Sequence, residues 1–226
     1  MESVDVYKYP GEDVLKNRFD CHDAKELMML ETLSTGANLA YLQLHPINGN
    51  FDFKHLKDIH RFIFQDVYEW AGQIRKVDIA KNNLFCRAQF INEYANSVFA
   101  DFYSSCEATN CDKARFIDNV AAHYADLNAL HPFREGNGRS QREFTRELCL
   151  KCGYVLDLTC TSHTEMLEAS ILSFNKADNS GLKSIFGKCI IPIEEYKNFQ
   201  NTLNSKLLIM SEDDIDDEFY SKLFKR

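Results

Sequence analysis

Apolar residues in this chain recur at intervals of three and four through one stretch after another and alternate with polar residues in only one short run. The sequence therefore permits a helical bundle and very little sheet. Over residues 23–44, Leu27, Leu30, Leu33, Ala37, Tyr41 and Leu44 share a face, and Asp23 with Glu26 makes a capping box; a buried helix is expected there. Over 51–72, Leu56, Ile59, Ile63, Val67 and Trp70 line one face, with Asp52 as cap and Gly72 as stop. A third helix is expected over 88–105 through Ile91, Tyr94, Val98 and Phe102, and a fourth over 112–130 through Phe116, Val120, Tyr124 and Leu127. Further helices are read over 139–153, carrying Phe144 and Leu148 inward with Gly153 as C-terminal cap, over 162–176 with a Ser162–Glu165 capping box, and over 180–190.

The exception is "IRKVDIAKNNLFCR", residues 74–87. Val77 and Ile79 alternate with Asp78 and Ala80, and Asn82 and Asn83 tolerate the left-handed backbone of a tight turn. A short hairpin standing against the helices as a flap is expected. The core is expected to close near residue 190. Residues 191–226, an amphipathic stretch and the acidic run "SEDDIDDE", are read as a packed helix and a solvated tail.

At 226 residues with 45% apolar content, the chain is long enough for one full core. A net charge of −8 argues against a broad nucleic-acid surface. No apolar run reaches membrane-spanning length and no export signature is present, so no membrane contact and a cytoplasmic location are expected. The eight cysteines are then expected as thiols. The close pair Cys149 and Cys152 is a weak zinc signal with no second pair beside it.

Two of these helices are joined by "HPFREGNGRSQR", His131 to Arg142. Pro132 ends the first helix at His131. Gly136 and Gly138 let backbone N–H groups approach an anion, and the start of the next helix adds its positive dipole end. Arg139 and Arg142, one turn apart, are placed to grip phosphate oxygens. Glu135 would repel those phosphates unless a divalent cation such as Mg²⁺ lay between them. A histidine titrates near neutrality and suits the activation of a hydroxyl. Together these groups describe phosphoryl or nucleotidyl transfer to a hydroxyl; a phosphate-binding module without catalysis would have no use for the histidine and the acid.

The same residues satisfy every position of the Fic signature, so the chain resembles the Fic family, and "YKYPGEDVLKN", "LKDIHRFIFQDVYEWAGQIR" and "IAKNNLFCRAQFI" extend the likeness. The resemblance implies an all-α Fic fold over residues 1–190, a helical bundle with the hairpin flap beside the active-site loop. It implies transfer of AMP from ATP to a Tyr, Thr or Ser hydroxyl of another protein, releasing pyrophosphate. His131 would be the base, Phe133 the loop's anchor and Glu135 the Mg²⁺ ligand. Gly136, Asn137 (backbone and side chain) and Gly138 would hold the α- and β-phosphates, and Arg139 and Arg142 the β- and γ-phosphates. The flap, Lys81 to Phe85, would align the target segment; Asn82 stands where the family commonly has glycine, and Cys86 where it often has alanine. The alternative within the family is phosphotransfer, or transfer of another nucleotide such as UMP. Gly138 favours AMP, because phosphotransferring relatives carry lysine there.

Many relatives carry a self-inhibiting helix that reads Ser or Thr, three residues, Glu, then Gly or Asn, whose glutamate pairs with the second motif arginine. Here only Thr161–Glu165 and Thr164–Glu168 have the spacing, and Met166 and Ala169 follow them. The resemblance therefore implies a toxin restrained by a separate small antitoxin. Family toxins of this layout often modify DNA topoisomerase subunits, which sets the expectation for the target.

Overall fold

The computed structural model describes residues 5–81 and 83–198 of the chain. Helices α1 (Ala24–Leu44), α2 (Phe53–Phe64), α3 (Ile91–Val98), α4 (Phe102–Ala108), α5 (Lys113–Leu130), α6 (Asn137–Lys151), α7 (His163–Lys176) and α8 (Ser180–Cys189) form the bundle. A flap of two-residue strands, β1 (Ala80–Lys81) and β2 (Asn83–Leu84), stands between α2 and α3. The all-α class with a hairpin is as the sequence led one to expect. A second two-stranded sheet, β3 (Tyr154–Leu156) against β4 (Ile190–Pro192), was not anticipated.

The centre of the bundle is α6, packed against α2, α5 and β3. Phe144 is fully buried and meets Phe51, Phe99 and Phe102 edge to face at 5.7, 5.8 and 5.3 Å. Each such pair adds about 0.5–1.5 kcal/mol beyond the area it buries. What the periodicity of α6 conceals is its buried polar side. Gln141 donates to the Leu127 carbonyl at 2.9 Å, and Glu147 accepts from the Ile47 N–H at 3.1 Å and meets His55 Nε2 at 3.1 Å. Glu143 takes a forked pair of bonds from Arg146 at 2.9 and 2.6 Å. Burial pushes the Glu143 carboxyl above its ordinary range despite Arg146.

Several expected elements differ in extent. α1 is capped by Asp23, which accepts from the Lys25 and Glu26 N–H groups, but it is not a buried helix: Leu33 and Leu44 are 72% and 79% exposed, and the inward residues are Leu27, Thr35 and Leu42. α2 ends at Phe64 rather than at Gly72. Residues 65–72 coil in tight turns because Val67 must accept from the Arg18 N–H and Gly72 must donate to His60 Nδ1. The third helix breaks into α3 and α4 at residues 99–101, where Phe99 and Phe102 both turn inward to Phe144. In the flap, Ala80 pairs with Leu84 and Lys81 with Asn83. Asn83 is thus a strand residue, while the turn expected at Asn82 lies outside the described residues. Most of the expected C-terminal helix and all of the acidic tail lie outside them as well.

All eight cysteines are free thiols. Burial pushes Cys149 well above the ordinary thiol value and Cys152 to about 11. Among the described residues no group of three or more His, Cys, Asp or Glu side chains could hold a metal ion. No helix among them is long and apolar enough to cross a membrane.

Candidate active site

The loop from His131 to Gly136 closes the gap between the C-terminus of α5 and the N-terminus of α6. His131 is the last residue before the turn and adopts a left-handed conformation, φ 44° and ψ 59°, as the C-cap of α5. Its Nδ1 faces the Asn128 carbonyl at 3.2 Å, so Nδ1 carries the proton and the basic lone pair is on Nε2.

Phe133 is buried and anchors the loop, as the resemblance implies. His60 stacks on it at 3.8 Å and donates from Nε2 to the Glu135 carbonyl at 3.0 Å. Because His60 Nδ1 accepts from the Gly72 N–H at 2.8 Å, this ring serves as a neutral strut; burial lowers its pKa to about 3.

Asn137 locks the turn from the other side. Its Oδ1 accepts from the Phe133 N–H at 2.9 Å and its Nδ2 donates to the Phe133 carbonyl at 2.7 Å. The amide thus holds the loop with one acceptor and one donor, and Asn137 still lines the cavity, where its second N–H and its backbone stay within the reach that the resemblance implies. Gly136, the N-cap of α6, sits at φ 80°, and a Cβ there would lie 2.1 Å from the Phe64 ring. Only glycine fits both constraints.

The two motif arginines part company. Arg142 lines the cavity beside the buried hydroxyl of Tyr124. Arg139 turns to α1, where it is bound by Glu31 and donates to Thr35 Oγ1 at 3.1 Å, and its guanidinium lies 4.6 Å from the Phe64 ring centre. Glu31 also accepts from the Tyr68 hydroxyl. The reading that both arginines face the cavity overlooked Glu31, a partner more than a hundred residues earlier in the chain. Glu135 lines the cavity, with Oε1 accepting from the Gly136 N–H at 2.8 Å and 3.6 Å from Arg139.

The cavity holds about 440 Å³ and lies between the loop, the flap and α7. His131, Glu135, Asn137, Gly138 and Arg142 form its polar floor, while Met166, Leu167, Ile171 and Phe174 of α7 give it an apolar wall. No motif flagged that wall. Phe85 stacks on the His131 ring at 3.8 Å and on Phe174 at 4.9 Å, and Asn83 donates to Asn175 at 2.6 Å, so the flap rests on α7. A third arginine, Arg134, holds Asp5 at 3.0 and 2.6 Å at the cavity's edge. Burial pushes the Asp5 carboxyl up, but Arg134 and the Tyr7 N–H outweigh it and leave it below the ordinary aspartate range.

The arrangement presents a base, backbone N–H groups at a helix start, a guanidinium and a carboxylate around one cleft with an apolar wall. That is the composition of a site for a nucleotide whose phosphates meet the helix start. Mg²⁺ fits such a site, since it takes one or two carboxylates and completes its coordination with phosphate oxygens and water.

Comparison with known proteins agrees with this geometry. Residues 50–149 match the sequence profile of the Fic/DOC family. Over 190 residues the chain is 32% identical to "Probable protein adenylyltransferase Fic" of Escherichia coli (strain K12), covering 84% of this chain and 94% of that protein. It is 38% identical over 169 residues to "Probable protein adenylyltransferase y4lH" of Sinorhizobium fredii, covering 74% and 86%. Among solved structures, the BepC protein of Bartonella tribocorum with bound AMPPNP superposes with a TM-score of 0.77 at 23% identity, over 82% of this chain and 96% of that one. The N-terminal Fic domain of a Bartonella quintana effector with bound ADP gives 0.78 at 24%, over 82% and 94%. At that identity the structural likeness speaks for the fold.

Proposed function

The chain belongs to the Fic/DOC family, and we propose that it is a protein adenylyltransferase that moves AMP from ATP to a Tyr, Thr or Ser hydroxyl of a target protein. The observation that carries this reading is the meeting of His131, Glu135, Arg142 and the start of α6 around one cavity. His131 Nε2 takes the proton of the target hydroxyl, whose oxygen bonds to the α-phosphorus; the bond from that phosphorus to the bridging oxygen breaks and pyrophosphate leaves. The N–H groups at the start of α6 and the Arg142 guanidinium hold the phosphates, and Glu135 would hold Mg²⁺ against them. A bound Mg²⁺ would supply charge neutralisation at the phosphate oxygens. The apolar side chains of α7 would receive the base. The flap from Lys81 to Phe85 would pair with the target backbone as an added strand.

Gly138 stands where phosphotransferring relatives carry lysine, which supports AMP transfer over phosphotransfer.

Restraint by a separate antitoxin is part of the same proposal. Glu165 is taken up by the Ser162 capping box, Glu168 is exposed, and among the described residues no carboxylate forms an ion pair with Arg142.

The test is incubation of the purified chain with labelled ATP, Mg²⁺ and a cell lysate, followed by mass spectrometry of the labelled protein. An added AMP on a hydroxyl side chain is expected, and an added phosphate or UMP would sink the reading. His131→Ala should abolish labelling and keep nucleotide affinity. If removing residues 199–226 activates an otherwise silent chain, inhibition is internal and the separate antitoxin is excluded.

A further inference from the structure

Among the largest fully buried side chains of the described residues is a charged one, Arg75. It sits in the connection between α2 and the flap, and its side chain is 0% exposed. Among the described residues no carboxylate hydrogen-bonds it: Asp78 is 4.0 Å away and accepts instead from the Ala88 N–H at 2.7 Å. Burial pulls the guanidinium below the ordinary arginine value. If the fold needed only bulk here, an apolar residue of similar size would serve as well or better.

All three of its side-chain hydrogen bonds go to backbone carbonyls, and their positions share a logic. Nη1 donates to the Val77 carbonyl at 2.7 Å, on the chain entering the flap. Nη2 donates to the Cys86 carbonyl, on the chain leaving it. Nε donates to the carbonyl of His131 at 2.9 Å, and the Arg75 backbone N–H reaches the next carbonyl, Pro132, also at 2.9 Å. One rigid fork thus spans both feet of the flap and the backbone of the base. That backbone is in the left-handed region, which costs a non-glycine residue about 1 kcal/mol and persists only when its surroundings hold it.

We infer that Arg75 is a positioning residue for transfer, fixing the flap in register with His131 so that a hydroxyl paired along the flap meets Nε2. The inference rests on the adenylyltransferase reading above. Arg75 itself touches neither nucleotide nor target. Lysine cannot replace it, because an ammonium offers three donors from one point whereas the three carbonyls lie around a planar fork. The Phe85 N–H bond to the Ile79 carbonyl and the Cys86 N–H bond to the Ala129 carbonyl, 3.2 and 3.1 Å, report whether the feet stay anchored.

The test uses the full chain with Arg75→Lys and Arg75→Gln, beside the wild type. It measures labelled-AMP transfer to the lysate target, ATP affinity at equilibrium, and amide hydrogen exchange at Phe85 and Cys86 against α6. The expected result for Arg75→Lys is a fall in kcat of about 100-fold, as for a misplacement near 1 Å, with ATP affinity within about threefold of wild type. Exchange at Phe85 and Cys86 should rise at least tenfold while α6 is unchanged. A folded variant with wild-type transfer, or unchanged flap exchange, overturns the inference. So does loss of ATP affinity in proportion to transfer, or failure of both variants to fold, since either makes Arg75 a general structural residue. A wild-type chain that transfers nothing either with or without residues 199–226 refutes the underlying adenylyltransferase reading instead, and is told apart because no Arg75 variant is needed to see it.

Discussion

The ring of Phe85 lies 3.8 Å from that of His131, with the two planes 13° apart. The flap therefore touches His131 directly, and the same Phe85 packs on Phe174 of α7. Removing the ring in Phe85→Ala frees the imidazole and one wall of the flap together. Transfer should fall by about 10- to 100-fold while ATP affinity is kept, because what is lost is alignment. Single-turnover labelling paired with equilibrium nucleotide binding separates the two effects.

Gly136→Ala should damage the protein well beyond one methyl group. The new Cβ meets Phe64 at 2.1 Å and is forced to φ 80°. Overpacking of that kind costs about 1–3 kcal/mol before any backbone strain is added. Urea denaturation should show the loss. Adding Phe64→Leu should recover part of it, since the clash is relieved and the strain is not.

Asn137→Ala should destabilise by about 2–4 kcal/mol, because it leaves the buried N–H and carbonyl of Phe133 without their side-chain partner. Asn137→Asp keeps the acceptor and loses the donor, so it should lie between Ala and wild type in thermal unfolding at neutral pH.

His60 makes a pH prediction. Its folded pKa is near 3 against an ordinary 6.5, so the unfolded chain binds a proton that the folded chain refuses across that interval. The stability this neutral ring supplies is complete above pH 6.5 and is lost as pH falls toward 3. Denaturant midpoints measured from pH 7 to pH 4 should give the wild type a slope steeper than His60→Gln by up to about 1.4 kcal/mol per pH unit. Equal slopes would mean that the ring is protonated in the native loop.

The two motif arginines should separate in binding. Arg142→Ala should weaken ATP binding by about 1.5–3 kcal/mol, the worth of hydrogen bonds to a charged group. Glu31→Gln acts elsewhere, since it strips Arg139 and Tyr68 of a shared carboxylate. Its expected mark is a loss of stability of about 1–3 kcal/mol. Isothermal titration with ATP and thermal unfolding of both variants decide the assignment.

The signature was legible because its members are neighbours in the chain. The spacing of His131 to Arg142 is what the phosphate-site reading rests on, and the flap announces itself by a change of period. What escaped notice is where side chains turn. Arg139 meets Glu31, 108 residues earlier, and Asn137 returns its amide to the backbone of Phe133 within the same loop. α6 reads as a half-exposed helix because Gln141, Glu143 and Glu147 look like surface residues. Their burial depends on Leu127, His55 and Ile47, which no local pattern associates with them, and on Arg146, one turn from Glu143 on the same helix. Leu33 and Leu44 err in the opposite sense, for the stripe they complete on α1 is wider than the groove that receives it.

The Asp5–Arg134 pair bears on where the working unit of this protein begins. The family profile covers residues 50–149, yet the cavity is walled by Asp5 on one side and by α7 on the other, and Arg139 is held by Glu31. A fragment cut to the profile's limits would keep every signature residue and lose the buttress of its loop, the anchor of one motif arginine and the apolar wall. Any excised version meant to work must run at least from Asp5 through α7. The signature marks the family, and the residues that wall its cavity reach well outside the matched span.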